Sequence, residues 1–372
     1  MTKKFSVFLT VLFCAFIGGI TAVSLLLPDR NFSPLENRYL QKPPKLSAEN
    51  LNSGKFMEDA ENYVSDHIVG RDFWVAAKAW SERLSGKWEN NGIYFAAGDT
   101  LISRVEEPDW DKLEGDMGYV DALAGNVSVP VYFGLIPSSA EIWRDRLPAG
   151  APTADEKAAI DRLYFSTGAR TIGLYAALSA HSGEDIYYRT DHHWTSLGAF
   201  YGANAIFDAM GLDPIVLSDY QKTTVTGQFN GTTFSSSGVR WLPPDVIDTY
   251  IPEEGIQVTS WFSGQPQQGR LYVDSFLEEK DKYSYFLGGR QPLCVVEKEG
   301  SEGPRVLIIR DSYSDCLTPF LTERFSQVHL FDPRNNLTSI KGYVEEHQLD
   351  AVVVLYSFSN FISDQNLFLL GR

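Results

Sequence analysis

The chain has 372 residues, which suits one large domain or two moderate ones, because single cores stop growing at about 250–300 residues. Hydrophobic residues make up 44% and charged residues 22%, a globular composition that argues against a disordered chain. The formal net charge of −16 argues against a surface that binds the phosphates of nucleic acids or anionic lipid headgroups.

An apolar run without charges extends from Phe5 to Pro28, after Lys3 and Lys4. As a helix rising about 1.5 Å per residue, it spans the roughly 30 Å hydrocarbon core of a bilayer. The lysines are expected to stay in the cytoplasm, so the rest of the chain is predicted to be extracytoplasmic. The run continues past the poor cleavage site at 20–22, so residues 1–28 are predicted to be a single-pass signal anchor in the cell membrane. A cleaved signal peptide, giving a secreted protein, is the alternative.

Residues 29–50 are polar and contain proline, which predicts an extended spacer. Residues 51–85 carry apolar side chains at helical spacing and predict two amphipathic helices that meet near Gly70. We interpret residues 51–372 as one domain. Within it, residues 220–300 are rich in Gly, Ser, Thr and Tyr and are predicted to form an irregular insertion.

Strand and helix patterns alternate through the rest of this domain. Predicted strands cover 129–137, 184–189, 305–310, 326–331 and 350–356. Predicted helices cover 153–169 with Thr153 as a possible N-cap, 172–180, 195–210 ending at Gly211, 313–324 and 338–347. This alternation predicts an α/β fold with parallel strands. Ligands of such sheets bind at the carboxyl ends of the strands.

The three cysteines do not form a disulfide scaffold or a zinc motif. Cys14 lies in the apolar run, which leaves Cys294 and Cys316 as one pair. They could bridge in an oxidising compartment, but two buried free thiols are the favoured interpretation.

The segment RVLIIRDSYSD, residues 305–315, places Ser312 between a buried strand and a helix. The free N–H groups and positive dipole at a helix N-terminus suit a nucleophile whose oxyanion must be stabilised. The turn resembles a nucleophile elbow but lacks the glycines of G-x-S-x-G. The alternative is structural, with Asp311 or Ser312 acting only as an N-cap.

The segment YYRTDHHWTS, residues 187–196, brings Asp191, His192, His193 and Trp194 to the end of a predicted strand. In one interpretation Asp191 orients a histidine that acts as general base for a serine. In a second the cluster binds a metal, although no spacing such as HExxH supplies further ligands. In a third the cluster caps the helix and packs Trp194 into the core.

These segments resemble the DHHW family of bacterial exported proteins. The resemblance is carried, in order, by ENRYLQKPP (36–44), NGIYF (91–95), YFGLIPSSAEIWRDRLP (132–148), TDHHWT (190–195), DKYSYFLGG (281–289) and RVLIIRDSYSD (305–315). That family is similar to the permuted SGNH-hydrolase-like domains of the alginate O-acetylation proteins AlgX and AlgJ. The resemblance implies a circularly permuted three-layer α/β/α domain with a mainly parallel sheet.

Carried over from this resemblance, Asp191 is the orienting acid, His193 the base and Ser312 the nucleophile, while His192 occupies a variable position. The order Asp, His, Ser along the chain is the one that the permuted group requires. The choice of His193 over His192 rests on the family spacing alone.

The resemblance also suggests residues that contact the oxyanion or the substrate. Gly288 and Gly289 match a Gly-Gly-Asn segment of relatives, but Arg290 replaces the Asn and puts that donor in doubt. The backbone N–H of Ser312 is therefore the leading oxyanion donor, with a glycine N–H or Asn360 as its partner.

Two arginines complete the candidate set. Arg310 replaces a lysine of relatives and keeps its charge, and Arg334 of FDPRNN matches a basic position that either binds a sugar carboxylate or stabilises the fold.

The implied activity is O-acetyl transfer to an extracellular polysaccharide through an acyl-serine, without a cofactor or metal. Acetyl-CoA is absent outside the cell, so a membrane-bound O-acyltransferase is the implied acetyl supplier. One alternative is a carbohydrate O-acetyl esterase, because the same triad serves if water reaches the acyl-enzyme. Another is a non-catalytic glycan-binding or assembly protein on the same fold.

Overall fold

The computed structural model describes residues 3–372, so Met1 and Thr2 of the predicted anchor lie outside the described residues. The helices are α1 (Lys3–Leu26), α2 (Ala48–Asn52), α3 (Lys55–His67), α4 (Arg71–Leu84), α5 (Trp110–Asn126), α6 (Ser139–Ile142), α7 (Glu156–Ser166), α8 (Leu174–Ser179), α9 (Ser196–Met210), α10 (Thr232–Ser237), α11 (Tyr313–Leu321), α12 (Ile340–Glu346) and α13 (Phe358–Ser363). The strands are β1 (Phe32–Ser33), β2 (Arg38–Tyr39), β3 (Glu89–Asn90), β4 (Ile93–Ala96), β5 (Thr100–Ser103), β6 (Val131–Ile136), β7 (Arg170–Thr171), β8 (Thr223–Phe229), β9 (Asp245–Thr249), β10 (Ile256–Phe262), β11 (Gln265–Gly269), β12 (Leu293–Lys298), β13 (Arg305–Arg310), β14 (Gln327–Phe331) and β15 (Ala351–Ser357).

The chain divides into two compact units. The first comprises the residues up to Asn90 with Ser235–Trp241, and the second comprises Asn91–Phe234 with Leu242–Arg372. The predicted domain limits at residues 28 and 50 stay predictions.

In the first unit, α1 is a 24-residue apolar helix, and within residues 3–372 it is the one helix long and apolar enough to cross a membrane. Helices α3 and α4 meet at Gly70, whose φ of 70° is left-handed, as the predicted break near Gly70 requires. The ENRY segment is held by ion pairs. Arg38 bonds the buried carboxylate of Asp66 at 2.9 Å, and Arg71 bonds Glu36 at 2.8 Å.

The second unit is built on an eight-stranded sheet with the order β11-β10-β12-β14-β13-β15-β6-β7. The five strands from β14 to β7 are parallel, and β12, β10 and β11 extend the sheet with antiparallel pairs. The α/β fold with a mainly parallel sheet is thus confirmed. Its central strands β6 and β15 are buried along their whole length, which explains their continuous apolar sequences.

The connections around β13 give the sheet a helix layer on each face. The chain moves one strand from β13 to β14 through α11, and then returns past β13 to β15 through α12. Because parallel crossovers are right-handed, connections that run in opposite directions lie on opposite faces of the sheet. The result is the three-layer arrangement that the resemblance implied.

The predicted strand at 184–189 is wrong. This segment makes no ladder with the sheet, and Tyr187 instead forms an isolated bridge with Trp194. The Tyr188 N–H donates to the carbonyl of His193 at 3.2 Å, so the segment closes a loop around the DHHW residues. Its Ile and Tyr side chains are buried by this loop, and that burial, without any sheet, accounts for the strand-like pattern.

The prediction of an irregular insertion at 220–300 is also wrong, because β8 to β12 lie within it. The strands were not predicted because several are polar, and β11 (QPQQG) is exposed along most of its length. The sequence does contain one indication of a hairpin in this region. Ser263 and Gly264, with φ of 50° and 75°, form the two-residue loop between β10 and β11 that suits a tight hairpin.

Helix boundaries follow local capping. Thr195 caps α9 by accepting from the Gly198 N–H, and Gly211 ends the helix in the left-handed conformation, as predicted for Gly211. The possible cap at Thr153 is wrong, because Asp155 caps α7 and accepts from the Ala158 N–H.

Candidate active site

Ser312 lies at the carboxyl edge of the parallel strands, between β13 and α11. It is the N-cap residue of α11 by position, yet its side chain makes no capping bond. Asp311 takes that role by accepting from the Tyr313 N–H at 3.0 Å. The other carboxylate oxygen of Asp311 accepts from the backbone N–H of Ser357 at 2.8 Å, which fixes the turn to β15. The Ser312 hydroxyl is therefore free for another partner.

That partner is His193. Its Nε2 lies 2.8 Å from Ser312 Oγ, and its Nδ1 lies 2.6 Å from Asp191 Oδ1. Because an ionised carboxylate only accepts, the Nδ1 atom carries the proton, and Nε2 presents its lone pair to the serine hydroxyl. The structure thus brings together the three residues predicted as a triad, in the geometry of a nucleophile, a base and an orienting acid.

The Asp191 carboxylate is enclosed, with 2% of its surface exposed. Besides His193 Nδ1, it accepts from the His193 N–H at 3.0 Å, the Thr232 N–H at 2.7 Å and the Thr232 hydroxyl at 2.9 Å. Burial alone would raise the pKa of Asp191, but the two neighbouring histidines and these hydrogen bonds hold it well below its usual range. The carboxylate is charged and its lone pairs are occupied.

Thr232 and Gly231, which build this enclosure, were missed from the sequence. They lie some forty positions from Asp191 in a Thr- and Gly-rich stretch that carries no recognisable signal. A Cβ atom on Gly231 would lie 2.3 Å from Asp191 Oδ2, so only glycine allows the backbone to approach this closely.

His192 has a supporting position. Its Nδ1 lies 2.6 Å from Thr232 Oγ. Since the Thr232 hydroxyl proton goes to Asp191, His192 Nδ1 must be the donor. Burial and the adjacent His193 lower the pKa of His192 below its usual value.

A metal ion bound at this cluster would need atoms that already form hydrogen bonds. Ligand-capable atoms of Asp191, His192 and His193 lie within 4.8 Å of one another. However, the Asp191 oxygens and both ring nitrogens of His193 already have partners, so a metal would have to displace the hydrogen bonds that join His193 to Ser312 and Asp191.

The tryptophan of the DHHW segment connects this loop by a hydrogen bond to the residue that follows Ser312. Trp194 is fully buried, and its Nε1 donates to the carbonyl of Tyr313 at 2.9 Å. The Tyr313 hydroxyl donates to the His192 carbonyl in return. On α9, a Cβ atom on Gly202 would lie 2.7 Å from the ring of Trp194, so this glycine makes room for the indole. A Cβ atom on Gly198 would lie 2.2 Å from the carbonyl oxygen of Ile186. Trp194 is therefore a core residue, and this burial is compatible with the contacts of Asp191 and His193 in the same loop.

Tyr283 is a further neighbour that sequence reasoning did not single out, although it lies in the quoted DKYSYFLGG segment. Its ring stacks on His193, with centroids 3.8 Å apart and planes 9° from parallel. Its hydroxyl donates to the Ser312 carbonyl at 3.0 Å.

Two of the predicted oxyanion donors are backbone N–H groups that remain unoccupied in the described part of the chain. Neither the Ser312 N–H nor the Gly289 N–H has a hydrogen-bond partner within residues 3–372, whereas the Gly288 N–H donates to Ser284 O at 3.1 Å. Leu287, Gly288 and Gly289 form a left-handed run, with φ of 60°, 81° and 86°. Asn360, the other candidate donor, bonds Asp311 Oδ2 at 2.8 Å.

The two candidate arginines have structural partners. Arg310 is 1% exposed and pairs with Asp315 at 2.6 Å, which places its side chain in the interior and argues against contact with a substrate. Arg334 remains partly exposed and makes a two-pronged pair with Asp332, at 2.8 and 2.9 Å. It follows β14 at the carboxyl edge of the parallel strands.

Cys294 and Cys316 are buried free thiols, as the favoured interpretation held. Burial raises the pKa of each thiol to about 12, so neither competes with Ser312 as a nucleophile.

The fold and this site define an α/β protein with a Ser-His-Asp array at the carboxyl edge of its sheet. A model of the DHHW protein family matches residues 119–331, more than half of the chain. The chain therefore belongs to the DHHW family, as its motifs predicted. A comparison with curated proteins found no match.

Solved structures show the same fold. A DHHW family protein from Eubacterium siraeum has a TM-score of 0.65 and 24% identity, over 76% of this chain and 95% of that one. Bacillus cereus PatB1, in a structure with a sulfonyl adduct, has a TM-score of 0.62 and 20% identity, over 75% of this chain and 100% of that one. The O-acetyltransferase domain of Pseudomonas putida AlgJ is more distant, with a TM-score of 0.44 and 14% identity over 73% and 93%.

Proposed function

We propose that this protein is an O-acetyltransferase that modifies an extracellular polysaccharide through an acyl intermediate on Ser312. The observation that supports acyl transfer is the hydrogen-bonded line from Ser312 Oγ through His193 to Asp191, with distances of 2.8 and 2.6 Å. Acetyl as the transferred group follows from the motif resemblance.

In the first half-reaction, His193 Nε2 takes the proton of Ser312 as Oγ attacks the carbonyl carbon of the acetyl donor. The unpartnered N–H groups of Ser312 and Gly289 are the donors assigned to the resulting oxyanion. The bond to the leaving group then breaks, His193 returns its proton to that group, and the acetyl ester of Ser312 remains.

In the second half-reaction, a sugar hydroxyl replaces the donor. His193 takes its proton, the sugar oxygen attacks the acetyl carbon, and Ser312 leaves and regains the proton from His193. The partner assigned to the first step is a membrane-bound O-acyltransferase that exports acetyl groups. Helix α1 would hold the protein at the outer face of the cell membrane beside it, or would be removed if the signal is cleaved.

The test is acetylation of the cell's own polysaccharide in a strain whose only copy is S312A or H193A. We expect acetyl content to fall to that of a deletion strain, because S312A removes the nucleophile and H193A removes the base that accepts its proton. The matched control is S301A, a serine outside the site. Wild-type acetylation in S312A would refute the proposal.

A second assay separates the transferase from the esterase. Purified full-length protein is given p-nitrophenyl acetate with and without an oligosaccharide acceptor, and both acetylated product and free acetate are measured. Transfer to the acceptor supports the proposal, and acetate alone supports an esterase. If neither product forms and a sulfonyl fluoride leaves Ser312 unlabelled by mass spectrometry, the non-catalytic glycan-binding interpretation is favoured.

A further inference from the structure

Tyr283 covers one face of the proposed base. The rings of Tyr283 and His193 are 3.8 Å apart and nearly parallel, and the Tyr283 residue is 4% exposed. Both nitrogens of His193 are occupied, by Asp191 and by Ser312. The ring face is therefore the surface through which another side chain can act on this histidine.

The charge of His193 changes during the proposed reaction. When it takes the proton of Ser312 it becomes an imidazolium ion. The electron-rich face of an aromatic ring attracts a cation within about 6 Å, and the attraction is stronger when both partners are shielded from water. The His193 side chain is 7% exposed, so screening by solvent is weak.

The Tyr283 hydroxyl fixes the ring in this position. It donates to the carbonyl oxygen of Ser312 at 3.0 Å, so the ring is tied to the nucleophile's own backbone. Burial raises the pKa of Tyr283 well above its ordinary value, which keeps the hydroxyl a donor and the ring neutral.

We propose that Tyr283 is a positioning residue that stabilises the imidazolium form of His193 through its ring face. The neutral imidazole of the resting protein gains less from this contact than the imidazolium. The interaction therefore strengthens toward the transition state and lowers the barrier of both half-reactions. This inference rests on the proposed acyl transfer.

The test varies the charge distribution of the ring at constant shape. Full-length protein is prepared with Phe, monofluoro-, difluoro- and trifluoro-Phe at position 283, so the hydroxyl is absent throughout. The release of p-nitrophenol in the first turnover is expected to slow stepwise, by about tenfold across the series, for an interaction of about 1.4 kcal/mol. The midpoint of the His193 NMR titration is expected to move stepwise to lower pH.

The matched control is the same fluorinated series at Phe325, a buried ring outside the site, where the rates should stay level. Equal rates and an unmoved titration along the position-283 series would overturn the inference while leaving acyl transfer intact. If the wild-type protein shows neither a burst nor sulfonyl labelling of Ser312, the proposed function fails. The NMR titration then still decides whether the ring stabilises the cation.

Discussion

The two sides of Ser312 are built differently. On the base side, side chains meet side chains, and the Asp191 carboxylate receives four hydrogen bonds from His193 and Thr232. On the oxyanion side, the donors that we propose are the backbone N–H groups of Ser312 and Gly289, and the Arg290 side chain, next in sequence to Gly289, is exposed. Substitutions should therefore be costly on the base side and mild on the oxyanion side, because a backbone donor survives a side-chain change.

The largest effect is expected for D191N. The amide can present its NH₂ group to His193 Nδ1, which stabilises the tautomer with the proton on Nε2, where it cannot accept from Ser312. In other serine triads this change costs roughly 10⁴-fold in turnover. First-turnover release of p-nitrophenol measures it, and D185N, on an exposed carboxylate nearby, is the control. A D191N rate within tenfold of wild type would show that Asp191 does not set the tautomer.

The next effect is expected for G231A. The new Cβ would lie 2.3 Å from Asp191 Oδ2, so the carboxylate must move. Misplacing a reacting group by about 1 Å can cost on the order of 10²-fold, and we expect a loss of that size in the same assay. G227A is the matched control, because its Cβ would meet nothing within 4 Å. Equal rates for the two variants would mean that the loop yields without displacing Asp191.

These residues also show how far the sequence could lead. The buried strands β6, β13 and β15, the turn at Ser312 and the DHHW block were predicted, because apolar runs and strand-to-helix boundaries are local signals. The contact between His193 and Ser312 joins residues 119 positions apart. This contact was predicted from two premises: parallel strands end at one edge of the sheet, and the family resemblance assigns His193 and Ser312 to one site.

The parts that escaped prediction depend on tertiary contacts without a local pattern. The loop at 184–189 imitates a strand because its consecutive Ile and Tyr residues are buried without a sheet. Thr232 and Tyr283 approach the histidines from segments whose sequences suggested an irregular insertion. Strand β11 lies at the edge of the sheet and pairs with β10 alone. Its exposed position tolerates polar residues, so its sequence resembles that of a loop.

A smaller effect is expected for T232V. Valine keeps the backbone N–H to Asp191 and the shape of the side chain, but it removes the hydroxyl that bonds Asp191 and His192. Loss of one hydrogen bond to a buried carboxylate, worth about 1.4 kcal/mol, corresponds to a tenfold slower first turnover. T232S restores the hydroxyl and should return the rate to within about twofold of wild type. If valine and serine gave equal rates, the hydroxyl would have no part in orienting the carboxylate.

The smallest effect is expected on the oxyanion side, at Arg290. This side chain is exposed and makes no hydrogen bond or ion pair in the part of the chain from residue 3 onward. R290A should therefore change the first-turnover rate by less than about threefold, as surface substitutions usually do.

R290N introduces the Asn that the family resemblance implies at this position. Its first-turnover rate should also stay within about threefold of wild type if the backbone N–H groups of Ser312 and Gly289 already stabilise the oxyanion. A loss of about 10²-fold in R290A would instead identify the arginine as an oxyanion donor, because removing one such donor costs roughly that much. A comparable gain in R290N would show that the backbone donors alone leave the oxyanion incompletely stabilised.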